Sequence, residues 1–108
     1  MQVYLVGDAD RDKIIVNINN KIIRHVSEAF VDDPLRVLRA ARFSAKYNFS
    51  IAKETLELMK EMVINEELDS LTPERIWNEL QKALMTERHW RFFYVLREVD
   101  ALREVFPY

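Results

Sequence analysis

The sequence predicts a mainly α fold: a short N-terminal β-meander followed by about four helices packed as a bundle. Three observations lead there. One Gly and three Pro in 108 residues are too few for a loop-rich or all-β chain. The β-prone runs are confined to the first 26 residues. From Asp33 onward apolar residues recur at steps of three and four, the spacing of one helix face.

The strands come first. Val3, Tyr4, Leu5 and Val6 form a β-prone run ending at Gly7; Ile14, Ile15, Val16 and Ile18 form a second, and Ile22, Ile23 and Val26 a third. Asn19-Asn20 separates the last two, and Asn tolerates the left-handed backbone of a tight hairpin. The helices follow. Asp32 or Asp33 can accept the free N–H groups of a first turn, Pro34 suits the first helical position, and Asn48 stops a helix running to about Tyr47. A second helix starts between Ser50 and Ala52, places Leu56, Met59 and Val63 on one face, and fades at Asn65. Thr72-Pro73-Glu74 opens a third with a hydroxyl cap, a Pro and an acid at the positive end of the dipole. Its expected buried face is Ile76, Trp77, Leu80, Ala83 and Leu84. Thr86 caps a fourth helix carrying Trp90, Phe93, Tyr94 and Leu96, and Pro107 ends it. Two units result, a β unit over 1–26 and a helical domain over 27–108.

Composition removes several functions. Without Cys there are no disulfides, thiolate metal sites or cysteine nucleophiles. His25 and His89 lie far apart, which argues against structural zinc, and His25 reads as structural or surface. Acids follow MQVYLVG where a signal peptide would stay apolar, and no run approaches membrane-spanning length. The expectation is a cytoplasmic protein without a membrane partner. Trp77, Trp90, Phe92 and Phe93 can stack on RNA bases, but at helical spacing they read as core, as do Met59 and Met62.

Charge is informative in its distribution. Pro34 to Tyr47 carries four basic residues and no acid, while Glu54 to Asp69 is dominated by acids. Arg36, Arg39, Arg42 and Lys46 fall within about a third of the helix circumference. No acid at i+4 relieves their repulsion, so a group outside the helix must. One reading is a solvated basic face paired with the acidic second or third helix. The other is an anion or nucleotide site, since Arg offers a planar fork of donors to phosphate or a base edge. Asp33, one turn before Arg36, supplies the acceptor that hydrogen-bond reading of a base also requires.

The run HVSEAFVDDPLRVLRAARFSAKYNFSI resembles the segment joining head and neck in class II tRNA nucleotidyltransferases, the bacterial CCA-adding enzymes, and their poly(A) polymerase relatives. LTPERIWNELQKALMTE and FFYVLREVDALREVFP resemble the neck helices that follow. The resemblance covers about four-fifths of the chain. It implies that residues 27–108 are a neck and residues 1–26 a severely truncated nucleotidyltransferase head. It also implies that Asp32-Asp33-Pro34-Leu35-Arg36 matches an acidic-acidic-x-x-Arg template motif, with Asp for the usual first Glu. Asp33 and Arg36 would then read CTP or ATP, and Arg39 and Arg42 would support the nucleotide and its phosphates. Glu74-Arg75 and Glu79 match the next motif and would brace the neck.

The family head carries a D-x-D pair that holds Mg²⁺, and here two alignments compete. Without a gap, Gly7 and Arg11-Asp12 match the phosphate-binding turn, with Asp8 for its second Gly. With a deletion, Asp10-Arg11-Asp12 match the metal-binding pair and Lys13 to Ile18 the next strand; this alignment is preferred to the first, and apart from the resemblance the same residues read as an ordinary acidic turn. The resemblance thus implies a module recognising CTP or ATP and the tRNA 3′ end, not catalytic alone because most of the head is missing; the open sheet edges and apolar surface left by a reduced head predict a homo-oligomer. The alternative is a non-catalytic helical module whose arginines contact RNA or a protein, again as an oligomer.

Overall fold

A computed structural model describes residues 13–107. Strand β1 (Ile14–Asn17) pairs antiparallel with β2 (Ile22–His25), with Ile14 opposite His25 and Asn17 opposite Ile22. Alternation sends Ile14, Val16 and Ile23 into the core. In the connecting loop the left-handed residue is Lys21 (φ 56°), not an Asn. Asn17 contributes instead by accepting the Asn20 N–H at 3.0 Å. The Val3–Val6 run lies outside the described residues.

After a short 3-10 turn (Glu28–Asp32) the chain enters helix α1 (Leu35–Tyr47), which stops at Asn48, as expected, with that residue left-handed. Strand β3 (Ser50–Ile51) was not foreseen. It lies parallel to β2, with Ile22 opposite Ser50 and Ile23 opposite Ile51, and gives a sheet of order β1-β2-β3. Two residues are too few to show an alternating pattern. Helix α2 (Lys53–Ile64) follows and buries Met59, Met62 and Val63. Helix α3 (Pro73–Leu84) starts at the predicted cap, where the Thr72 side chain accepts the Arg75 N–H at 3.3 Å.

The predicted fourth helix is two, α4 (Trp90–Glu98) and α5 (Leu102–Val105). Between them Asp100 is left-handed (φ 63°), its N–H donates to Arg97 O at 3.1 Å, and the Ala101 N–H donates to Leu96 O at 2.8 Å. Those two bonds form a Schellman stop, here with Asp in the place Gly usually takes, so the break carries no glycine signal. Thr86 does not cap α4 either: its hydroxyl donates to Ala83 O at 2.7 Å and closes α3.

Val37, Leu38, Phe43, Met59, Phe92 and Leu96 meet in the core. Two predicted faces are rotated. On α3 the inward residues are Glu79 and Ala83, with Ile76 and Leu80 half-buried, whereas Trp77 and Leu84 are exposed. On α4, Phe92, Val95 and Leu96 are buried while Trp90 and Tyr94 stand out. Successive side chains turn by about 100°, so placing Glu79 inward puts Trp77 roughly opposite. No described helix is long and apolar enough to cross a membrane.

Candidate functional site

The basic stripe sits on α1, fastened at both ends. Before it, Asp33 has an extended backbone, and its Oδ1 accepts the Leu35 N–H at 3.0 Å. Asp33 is thus the capping acid of the pair, and Asp32 is exposed. After it, Arg91 of α4 donates to Phe49 O at 3.0 Å and to Ser44 Oγ at 3.3 Å, and Ser44 itself donates to Phe49 O at 2.7 Å.

Asp33 and Arg36 share no hydrogen bond among the described residues. The second Asp33 oxygen, Oδ2, receives Arg75 of α3 at 3.0 Å. Arg36 donates through Nη1 to Ala29 O, while its buried Nε–H has no protein partner among the described residues. Burial pushes the Asp33 carboxyl up, but the Leu35 N–H, the Arg75 bond and charge, and the Arg36 charge together hold it below 3.8. The acceptor is therefore ionised at neutral pH.

Arg39 and Arg42 converge on one carboxylate. Arg39 Nε donates to Glu79 Oε1 at 2.9 Å and Arg42 Nε to Oε2 at 2.6 Å. Side-chain exposure is 2% for Glu79, 6% for Arg42 and 21% for Arg39, so this is a buried triad that joins α1 to α3. It answers the repulsion along the stripe: the relieving group is on the third helix, but buried rather than solvated. The Arg42 guanidinium also lies 4.8 Å from the Phe43 ring centroid. Lys46 is exposed, its ammonium 5.3 Å from the Tyr47 ring centroid.

Arg75 and Glu79 do brace the helices, as expected; Glu74 is exposed. His25 is structural: its backbone N–H donates to Thr55 Oγ1 at 3.0 Å, and its ring Nδ1 lies 2.7 Å from the same oxygen. The Asp33–Arg75 link escaped sequence reasoning because the partners lie 42 residues apart. A signal for Glu79 did exist: it is an acid between Ile76 and Ala83 on an otherwise apolar face. Asp10 and Asp12 lie outside the described residues. Among the described residues no group of three or more His, Asp or Glu is placed to hold a metal ion, so these residues do not fit Mg²⁺.

The helical bundle with its charged α1 is that of the tRNA nucleotidyltransferase class. Residues 48–108 match the family described as "Probable RNA and SrmB- binding site of polymerase A", and the chain belongs to that family. It is 54% identical over 94 residues to the multifunctional CCA protein of Acinetobacter baumannii (strain AYE), covering 84% of this chain and 23% of that protein. With the same protein of Nitrosomonas europaea it shares 52% over 93 residues, covering 86% and 23%. The chain thus spans 23% of the length of these relatives. A CCA-adding enzyme solved with ATP superposes with a TM-score of 0.75 at 31% identity, over 92% of this chain and 23% of that one. A tRNA nucleotidyltransferase complexed with a primer tRNA and an incoming ATP analog gives 0.74 at 29%, over 94% and 28%.

Proposed function

We propose that this chain recognises the base of CTP or ATP and the 3′ end of tRNA, and does not add nucleotides by itself. The observation that carries the reading is the start of α1, where the ionised Asp33 lies one turn from Arg36. An acceptor and a planar donor at that spacing suit the edge of a base. On this reading Arg39, one turn later, steadies the phosphates together with Arg42. Solved relatives with CTP, with ATP and with a primer tRNA support the choice of ligands.

On this reading residues 1–26 are the remnant of a catalytic head, and 27–108 form the recognising neck. Asp10 and Asp12 are the only residues we assign to Mg²⁺, and the setting is the cytoplasm. Self-association is part of the proposal: β1 pairs on one side only among the described residues, and Trp77 stands exposed beside an apolar groove with Leu80 and Phe106. Light scattering should give a dimer or larger species; a clean monomer at high concentration refutes it.

NMR titration with CTP, ATP, GTP, UTP and pyrophosphate tests the central claim. Shifts at Asp33 and Arg36 should be larger for CTP and ATP. Equal shifts with pyrophosphate and no base preference would reduce the stripe to a phosphate-attracting surface. An incorporation assay on tRNA lacking CCA, with Mg²⁺, should show no appreciable addition.

A further inference from the structure

The last turns of α1 and α3 and the 86–88 connection enclose a cleft of about 400 Å³. Lys46, Lys82 and Arg88 line it on the outside, Arg42 closes its inner wall, and Glu87 is its one acid. Among the described residues, Lys46, Lys82 and Arg88 make no ion pair with a carboxylate. On a chain of net charge −2 this is a local concentration of positive charge in a concavity.

Helix ends account for part of it. Lys46 and Lys82 lie in the last turns of α1 and α3, where a cation offsets the negative end of the dipole. Arg88 lies in neither helix. The connection that carries it is closely tied, with Thr86 N–H donating to Ala83 O at 3.1 Å and Arg91 N–H to Arg88 O at 2.9 Å. Arg88 is therefore delivered to the cleft by a hydrogen-bonded turn. Two residues on, Trp90 is half exposed, with the Arg91 guanidinium 5.5 Å from its ring centroid. Several cations spread along one cleft suit a chain of linked phosphates more than a single phosphate.

Distance separates this cleft from the start of α1. Asp33 and Lys46 are 13 residues apart, and at 1.5 Å per residue that is about 20 Å along the helix. Between them the Nε–H groups of Arg39 and Arg42 are turned in to Glu79. We infer that the cleft lined by Lys46, Lys82 and Arg88 holds the phosphodiester backbone of an RNA strand. The inference deepens the RNA half of the proposed function and rests on it.

The test is fluorescence anisotropy with a tRNA acceptor minihelix lacking CCA, over a series of salt concentrations, on the 108-residue chain. The triple variant Lys46→Gln, Lys82→Gln, Arg88→Gln should weaken binding roughly tenfold or more and flatten the log–log salt slope by about one unit per lost contact. Glu87→Gln should tighten it. CTP and ATP titrations of the triple variant should be unchanged, and its thermal melt should fall only by the small helix-end contribution of Lys46 and Lys82. An unchanged salt slope and affinity overturns the cleft alone, provided the parent chain binds. Nucleotide affinity falling in step with RNA affinity also overturns it, because the cleft is then a triphosphate pocket. A parent chain that binds no RNA overturns the RNA half of the proposed function and this inference with it.

Discussion

Glu79 takes the Arg42 Nε–H at 2.6 Å in a contact where both side chains are almost wholly buried. The same carboxylate takes Arg39 at 2.9 Å, so one acid on α3 bridges two cations on α1. Removing it takes away the carboxylate that both Nε–H groups share, and breaking a buried ion pair from one side typically costs about 3–5 kcal/mol. Against a total stability of roughly 5–15 kcal/mol, that is a large share. Glu79→Ala should therefore shift the urea midpoint far down, with Glu79→Gln between it and the parent. A loss below about 1 kcal/mol for Glu79→Ala would mean that the triad contributes little.

The link between Asp33 and Arg75 predicts a pH dependence. The folded carboxyl titrates below 3.8, so the bond contributes stability above that value and loses it as pH falls through the lower, folded value. Both side chains are partly exposed, and solvent screening keeps the contribution to about 1 kcal/mol or less. Carboxyl NMR should find Asp33 titrating low, and Arg75→Met should move it up. No movement in Arg75→Met would assign the depression to the Leu35 N–H and the Arg36 charge.

Which parts of this architecture could be read in advance follows from the range of the forces involved. Thr72 with Pro73, and Asn48, act within one turn, and those boundaries came out as expected. Buried faces depend on partners distant in sequence. Trp77 looked like core by its own helix, but the demand of Arg39 and Arg42 for an acid turned Glu79 inward and Trp77 outward. The α4–α5 break rests on a left-handed Asp100, a conformation that Asp seldom advertises. The site divides the same way. The stripe on α1 is visible from spacing alone, while Arg75 as the partner of Asp33 emerges only when α3 packs against it.

Asn48 offers a local test. It is left-handed at φ 57° and ψ 41°, where a Cβ costs about 1–2 kcal/mol for residues that cannot bond locally. Asn48→Val should lose about that much in urea unfolding, whereas Asn48→Gly should be neutral or slightly stabilising. Equal losses for both would point to the Asn side chain, not the backbone, as the contributor.

Base preference should separate Asp33 from the arginines. A hydrogen bond to a charged group contributes about 1.5–3 kcal/mol, so losing the acceptor that reads a base should cut discrimination about tenfold or more. Asp33→Ala should blur the preference for CTP and ATP over GTP and UTP. Arg39→Ala should weaken all four nucleotides together and flatten the salt dependence, with a thermal melt measuring how much follows from its lost bond to Glu79. Asp33→Ala also frees Arg75, so Arg75→Ala breaks the same pair from the other side. A preference that survives Arg75→Ala but not Asp33→Ala makes Asp33 the reader. If both variants lose it equally, the Asp33–Arg75 pair fixes the geometry of the helix start, and some other group reads the base.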